Sequence, residues 1–225
     1  PVLTGKSSQN RKEVVERMKQ VAKNTKELPA LAAVNARLRE KMQFWMPDEG
    51  EYGSILLHGF TATKCEHIGP CAVVGEPAAW PAIELVVQGN KCVETDGSQH
   101  HFAAYDCFIS GIGDMETSRV TTASADTPYL SISLRLDHGL LGSLIEASGL
   151  SLPLAGCGRS ARGAQADVEI LDAFLRLINL IADPEYFFCL APLVSKEIHY
   201  RMLIGPLGGS MCRYYLRHEF GRVFE

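Results

Sequence analysis

The stretch TPYLSISLRLDHGLL, residues 127–141, changes its hydrophobic period part-way along. In its first part, polar Ser131, Ser133 and Arg135 alternate with apolar Leu130, Ile132, Leu134 and Leu136. Such alternation predicts a strand with one buried face. From His138 the spacing is that of a short helix, which Gly149 is placed to end. The stretch therefore predicts a junction between a β-module and the helices behind it.

The segment before this junction, from Tyr52 to Asp137, shows no helical period. Short runs rich in Val, Ile and Phe alternate there with Gly, Pro and Asp-Gly, which predicts strands at residues 53–60, 71–77, 83–95, 100–112, 116–123 and 128–136. The tetrapeptide TDGS, residues 95–98, predicts a tight hairpin, because Asp-Gly suits a type I′ turn. Many short strands at near-regular spacing are typical of a sandwich or a small barrel.

Helical spacing flanks this β-segment on both sides. The apolar positions are Val14, Met18, Val21, Leu31, Val34, Leu38 and Met42 before it, and Val168, Leu171, Leu175, Ile178, Leu190, Val194, Ile198 and Met202 after it. Gly205 and Pro206 are expected to end the last helix, because proline cannot continue the hydrogen-bond ladder. The apolar positions that follow the β-segment form one stripe on each of two helices, and these two stripes predict a dimer through these helices. The alternative is that both stripes are used in the intramolecular core.

The composition indicates a soluble globular protein. Of the 225 residues, 46% are hydrophobic and 21% are charged, and the net charge of −4 argues against a nucleic-acid-binding face on this chain. The sequence has no apolar run long enough to span a membrane and no signal-peptide core, so no membrane contact is expected. Seven cysteines without a CxxC pair favour free thiols and a cytoplasmic location.

Three pieces of the sequence resemble, in their order and spacing, the amino-terminal effector domain of AraC-type transcriptional regulators. They are AIELVVQGNKCV at residues 82–93, HFAAYDCFIS at 101–110 followed by TPYLSISLRLDHGLL at 127–141, and LAPLVSKEIHYRMLIGP at 190–206. The resemblance covers residues 53–209. It implies an α+β fold, in which a cupin-like antiparallel β-barrel carries N-terminal helices and a C-terminal helical bundle that serves dimerisation.

On this basis the chain divides into four parts. Residues 1–52 form an N-terminal helical segment, 53–137 the cupin-like β-barrel, 138–209 a helical dimerisation subdomain, and 210–225 the start of a linker. In the family this linker leads to two helix-turn-helix units, which need about a hundred residues. DNA is therefore expected to be bound only through a domain absent from this chain. The alternative for the last part is a terminal helix packed on its own domain.

The resemblance further implies a ligand-sensing and dimerisation domain that controls DNA binding. Its partners would be a small-molecule effector and a second copy of the chain, and no cofactor is implied. No enzyme activity is expected, because the sequence has no glycine-rich phosphate loop, no HExxH and no GxSxG. Two alternatives are a stand-alone metal-dependent cupin enzyme and a thiol-based sensor of aldehydes or oxidants.

A metal-dependent cupin would need histidines that point into the barrel together. His100 and His101 are adjacent, and neighbouring strand residues face opposite sides of a sheet, so a regular strand cannot place both inside. A site that combines one of them with His58 and Glu84 is the alternative. No metal site is predicted.

The effector site is expected in a mostly apolar pocket with a few polar groups. The candidate residues are His58, Trp80, Glu84, Gln88, Cys92, Tyr105 and Cys107. Strand parity places Glu84 on the face opposite Leu85, and an outward Glu84 is expected, because an inward one would need a cation or a donor on the ligand. Trp80 in GEPAAWP, residues 75–81, is expected on a mobile rim, and Tyr105 would supply an aromatic wall.

Cys92 and Cys107 lie on predicted strands and are the candidate reactive thiols. A reactive thiol needs a nearby cation or helix start to lower its pKa. Lys91 adjoins Cys92 in sequence, but it falls on the opposite face of the strand. Core packing, the usual role of a buried cysteine, is the alternative.

Overall fold

The computed structural model describes residues 28–70, 80–95, 97–112, 116–149 and 162–220. Its first helix, α1, covers residues 28–45. The elements that follow are β1 (Gly50–Gly53), β2 (Phe60–Cys65), β3 (Gly69–Pro70), β4 (Ala82–Gln88), β5 (Asn90–Thr95), β6 (Ser98–Ala103), β7 (Asp106–Ser110), β8 (Glu116–Thr122), β9 (Tyr129–Arg135), α2 (His138–Ser148), β10 (Gly163–Gln165), α3 (Val168–Ile181), α4 (Pro184–Ile204) and α5 (Gly208–Phe220). No helix among these residues is long and apolar enough to cross a membrane.

The strands form two antiparallel sheets that pack face to face. The larger sheet has six strands in the order β1-β2-β9-β4-β7-β10, and the smaller has four in the order β3-β8-β5-β6. The β5–β6 hairpin pairs Thr95 with Ser98, and Gly97 has a φ of 72°, in agreement with the predicted turn. The α+β class with antiparallel sheets is thus confirmed. Within the described ranges no strand pairs across the two sheets, and closure into a cupin-like barrel stays a prediction.

Strand β9 separates two layers of the molecule. Leu130, Ile132 and Leu134 are buried on the face of the larger sheet that the helices cover. Ser131 and Ser133 lie on the opposite face, toward the smaller sheet, because side chains alternate across a strand. The alternating pattern therefore produces a helix-side core on one side of β9 and an inter-sheet space on the other.

Residues of each described helix, α1 to α5, join the helix-side core. Its members from α3 and α4 include Leu171, Leu175, Ile178, Val194, Ile198 and Met202. These residues form most of the two stripes that the sequence pattern assigns to a dimer interface, so that assignment is wrong for them. The larger sheet needs an apolar cover, and the two stripes supply it within one chain.

Helix α1 agrees with the predicted N-terminal helix over its described part. Leu31, Leu38 and Met42 are buried in the helix-side core. The Nδ2 of Asn35 donates to the backbone carbonyl of Val87 on β4 at 3.0 Å, which ties the helix to the sheet. The predicted positions Val14, Met18 and Val21 lie outside the described residues.

The stretch 53–60 is mostly a loop, so the strand predicted there is wrong. Only its ends are strand residues, with Gly53 at the end of β1 and Phe60 at the start of β2. Gly59 has a φ of 83°, a left-handed conformation that turns the chain before β2. The strand predicted at 71–77 lies outside the described residues.

Helix α4 begins at Pro184 and ends at Ile204, directly before Gly205 as predicted. It starts earlier than the sequence pattern indicates, because proline is well tolerated in the first turn of a helix. Inside α4, His199 is fully buried and burial lowers its pKa. Its Nε2 accepts the backbone N–H of Asp137 at 3.1 Å, which ties α4 to the start of α2.

Helix α5 packs on the domain that precedes it. Met211 and Cys212 are buried in the helix-side core. Tyr215 packs against Gly142 of α2, where an added Cβ would lie 2.9 Å from the tyrosine ring. The described part of the range 210–225 therefore contacts its own domain, and its role as the start of a linker stays a prediction.

Candidate functional site

The inter-sheet space is lined mainly by apolar side chains. They are Cys65, Val86, Val93, Phe102, Phe108, Val120 and Tyr129, contributed by both sheets. The rings of Phe102 on β6 and Phe108 on β7 stack with their centroids 4.0 Å apart. Because β6 and β7 belong to different sheets, this stacking contact holds the two sheets together.

A buried ion pair crosses the inter-sheet space. The Nζ of Lys91 on β5 lies 2.7 Å from the Oε1 of Glu84 on β4, and the two residues are 7% and 4% exposed. The hydroxyl of Tyr129 on β9 donates to the same oxygen at 3.1 Å. Lys91 Nζ also lies 5.5 Å from the centroid of the Phe108 ring. Charges at this depth need such additional contacts, because water no longer solvates them.

The turn between β4 and β5 brings the two charges together. Gly89 has a φ of 79°, and an added Cβ there would lie 2.5 Å from the carbonyl oxygen of Thr122. Only glycine fits this position without a shift of the backbone. Since β4 belongs to the larger sheet and β5 to the smaller, the chain folds over at this glycine, and Glu84 faces Lys91 across the gap.

Two further carboxyl groups lie within electrostatic reach of the ion pair. Burial raises the pKa of Glu116 on β8, although the N–H of Gly111 and the charge of Lys91 act in the opposite direction. Desolvation also raises the pKa of Glu51 on the edge strand β1, although this residue is exposed. The charge of Glu84 raises both pKa values further. The charge of Lys91 therefore acts on both of these carboxyl groups as well as on its partner Glu84.

Glu84 has one carboxylate oxygen to spare. Both hydrogen bonds go to Oε1, and no residue in the described ranges donates to Oε2. Its neighbour on β9 is Ser133, a small side chain on the same face of the sheet. A ligand that reaches this point would meet a free acceptor oxygen beside the cationic Nζ of Lys91.

The chain matches the family model of the AraC-type transcriptional regulator N-terminus over residues 66–210, more than half of its length. It belongs to this family. A search of the curated proteins found no match. Among solved structures, the crystal structure of the AraC-like transcriptional activator CuxR is similar, with 13% sequence identity and a TM-score of 0.34. That match covers 74% of this chain and 59% of the other, so this chain spans less than two thirds of the CuxR chain.

Of the site residues predicted from the sequence, Glu84 is the one that forms the buried ion pair in the inter-sheet space of this AraC-type domain. The outward orientation expected for it is wrong, because Lys91 rather than a ligand supplies the compensating cation. Lys91 and Tyr129 are the site residues that the sequence pattern missed. One signal was present, since strand parity places Lys91 on the same face of β5 as the apolar Val93.

His58 and Trp80 lie at the surface of the AraC-type domain. His58 is exposed in the loop between β1 and β2. Trp80 is half-exposed, and the guanidinium of Arg135 lies 4.1 Å from the centroid of its ring. Of the predicted rim 75–81, only Trp80 and Pro81 belong to the described residues. Neither His58 nor Trp80 contributes to the buried ion pair, and their roles as ligand contacts stay predictions.

Gln88 and Tyr105 make contacts within the protein. The Nε2 of Gln88 donates to the carbonyl of Pro128 at 2.7 Å, and its Oε1 accepts from Arg39 of α1 at 3.2 Å. Tyr105 occupies the turn between β6 and β7 with a φ of 77°, and its side chain packs against the helix-side core. Their predicted contacts with an effector are not tested by these observations.

The two candidate thiols face away from the ion pair. Cys107 lies in the helix-side core, where burial raises its pKa far above the usual value and two nearby aspartates add to the shift. Cys92 is buried on the opposite face of β5 from Lys91, in register with His101 and Arg119 of the neighbouring strands. It borders a groove of about 760 Å³ on the outer side of the smaller sheet.

We expect Cys107 to react with a thiol reagent at neutral pH at least about a hundredfold more slowly than the exposed Cys189 in the folded protein. The reason is that Cys107 has a raised pKa and no access to solvent, so almost no thiolate is presented. Timed labelling followed by peptide mass analysis measures both rates. Equal rates for the two cysteines would contradict this environment and would favour a thiol sensor.

The metal site weighed as an alternative is not assembled in the described part of the chain. His100 pairs with Val93 and His101 with Cys92, so the two histidines face opposite sides of β6, as strand alternation requires. Among the described residues, His58 and Glu84 form no cluster of ligand atoms with either histidine.

Proposed function

We propose that this chain is the effector-sensing and dimerisation domain of an AraC-type transcriptional regulator, and that the effector binds in the inter-sheet space. It acts without catalysis, by controlling a helix-turn-helix domain that binds DNA in the cytoplasm. The division into an N-terminal segment, a barrel, a dimerisation subdomain and a linker at residues 53, 138 and 210 belongs to the same proposal.

The observation that supports effector binding is the Glu84–Lys91 pair with its spare acceptor. A carboxylate is costly to bury, and one that keeps an unused oxygen beside apolar walls suits a ligand that brings a hydrogen-bond donor. The carboxyl group of Glu116 adds an acceptor at the edge of the same space, and the exposed Glu51 lies within electrostatic reach of Lys91. We therefore favour a small effector with several hydroxyl or amino groups and an apolar face.

Strand β4 connects this space to the helices. Glu84 faces the inter-sheet space, whereas Leu85 and Val87 on the same strand are buried in the helix-side core. The carbonyl of Val87 accepts the hydrogen bond from Asn35 of α1. A signal requires that the effector binds one conformation of the protein more tightly than another. If the two conformations differ in the position of β4, effector binding would also change how α1 packs on the sheet.

The experiment is a screen of small hydroxylated and amino metabolites against a Trp45→Phe variant, in which Trp80 is the remaining tryptophan. We expect one chemical class to change Trp80 fluorescence and to slow amide exchange in the strand from Ile83 to Gln88. Glu84→Gln should then weaken binding about tenfold or more, because the acceptor charge is lost.

Two further variants make this screen decisive. Ser133→Val adds volume beside Glu84 and leaves both residues of the ion pair unchanged. It should therefore weaken effector binding, and it gives a second test in case Glu84→Gln folds poorly. Glu94→Gln, on the exposed side of β5, is the matched control and should bind as the parent does. If the folded parent shows neither signal with any member of the panel, the effector role is contradicted and dimerisation alone remains.

Helix α4 carries the surface that we assign to dimerisation. Its outward face holds Tyr186, Leu193, Tyr200 and Ile204, all exposed, and Leu193 is 62% exposed. These positions recur at helical spacing and lie opposite the buried stripe of the same helix. Next to them, a groove of about 460 Å³ separates α3 from α4 and is lined partly by leucines. Exposed apolar side chains in a continuous row indicate an interaction surface, and a second copy of the chain is its proposed occupant.

A further inference from the structure

Three potential metal ligands lie close together where α2 and α5 meet, away from the ion pair in the inter-sheet space. His138 is the first residue of α2, and His218 and Glu219 lie in the last turn of α5. One ligand atom from each residue lies within 4.8 Å of the other two. The three side chains come from helices that are distant in sequence, so tertiary packing alone brings them together.

The spacing of these atoms is close to that of a coordination sphere. A tetrahedral ion with ligands at about 2.1 Å places those ligands about 3.4 Å from one another. The Nε2 of His138 and the Oε1 of Glu219 are already 3.5 Å apart. The rings of His138 and His218 have centroids 4.2 Å apart, and because His218 is exposed, its side chain can turn toward the ion without disturbing the core.

His138 provides an independent indication of a missing ligand. Its Nε2 is buried and makes no hydrogen bond within the part of the chain that the structure describes, which is rare for a buried polar atom, and the Oε1 of Glu219 faces it at 3.5 Å. The imidazole is held in place by Tyr215, whose ring stacks on it at 4.8 Å with an interplanar angle of 19°. The absence of a side chain at Gly142 leaves room for this tyrosine. A fixed nitrogen that faces two other ligand atoms is suited to coordinate a metal ion.

We propose that His138, His218 and Glu219 bind a divalent transition-metal ion of the zinc class, with water completing the coordination. Two imidazoles and one carboxylate form a donor set that such ions prefer. The ion would lie beside the C-terminal turn of α5, whose carbonyl dipoles favour positive charge. The opposing dipole at the start of α2 is offset in part by the carboxylate of Asp137, the N-cap of that helix.

Metal binding at this point would fasten the end of α5 to the start of α2. Without the ion, α5 is held there by Tyr215 and by the residues of its first turns, and its last turn is exposed. The bound ion would therefore fix the direction in which the chain leaves α5. This inference does not depend on effector binding in the inter-sheet space.

The test is a titration of this 225-residue chain, without a histidine tag and freed of metal by a chelator, with zinc and with cobalt. We expect one ion per chain by calorimetry, a cobalt absorption spectrum of low-symmetry coordination, and slower amide exchange in the last turn of α5. His218→Ala and Glu219→Gln should each weaken binding at least about tenfold. Both residues are exposed, so these variants should fold.

The control is His67→Ala, which removes an exposed histidine that pairs with Glu49 at 3.0 Å elsewhere on the surface. It should bind the ion as the parent does. Stoichiometric binding that survives both His218→Ala and Glu219→Gln would overturn the proposed site. So would the absence of zinc binding by the parent at a hundred micromolar metal, with the fold intact by circular dichroism.

Discussion

Replacement of Lys91 by methionine is expected to lower the free energy of unfolding by about 3–5 kcal/mol. Methionine keeps much of the volume of lysine, so the main change is that the Glu84 carboxylate loses its cation while it stays 4% exposed. The remaining bond from Tyr129 cannot replace a full positive charge. Urea denaturation at neutral pH, followed by circular dichroism, measures the loss.

A matched set of variants separates charge from packing. Adding Glu84→Leu to Lys91→Met should recover most of the loss, because an apolar pair of similar volume often replaces a buried ion pair at little cost. Lys196→Met on the exposed side of α4 should change stability by no more than about 0.5 kcal/mol. A Lys91→Met variant as stable as this control would show that the Glu84–Lys91 contact is not a buried ion pair.

The sequence predicts those parts of the fold that depend on local patterns. The alternation in β9 correctly places Leu130, Ile132 and Leu134 on one face, because side-chain direction in a strand follows from neighbouring residues alone. The stop of α4 before Gly205 and the turn at Gly97 are local in the same sense. The family assignment rests on the same local pieces in their order, and the match over residues 66–210 confirms it.

Other features depend on which elements meet, and local patterns do not contain that information. Glu84 and Lys91 face each other only because β4 and β5 belong to different sheets. The apolar stripe of α4 through Val194 and Ile198 reads equally well as a dimer surface and as a core surface, and only the position of the larger sheet decides between them. Strand β10 is three residues long and is created by its pairing with β7.

Replacement of Leu193 by aspartate is expected to raise the dissociation constant of the proposed dimer about a hundredfold or more. Leu193 lies at the middle of the exposed row on α4, with Tyr186 and Tyr200 equally distant along the helix on either side. A two-fold axis through Leu193 would place the two copies of α4 antiparallel. Tyr186 of one copy would then contact Tyr200 of the other, and the two Leu193 side chains would contact each other.

This antiparallel arrangement also accommodates the charges of the helix. Glu197 would meet Cys189 of the second copy rather than another carboxylate, and Glu197 is already held by Arg176 and Arg201 at 2.8 and 2.9 Å. An aspartate at position 193 would face its own symmetry mate in an apolar surrounding, so each dimer would contain two adjacent buried charges. This doubling is the reason for the large expected effect.

Sedimentation velocity over a range of concentrations measures the association of parent and variant. Phe188→Asp is the matched control, because it places the same charge at an exposed apolar position of α4 that lies on a different face of the helix, and it should leave association unchanged. A parent that sediments as a monomer at tens of micromolar would contradict the dimer. Equal weakening by Phe188→Asp and by Leu193→Asp would show instead that the row through Tyr186, Leu193 and Tyr200 is not the contact surface, since a two-fold interface centred on Leu193 leaves Phe188 outside it.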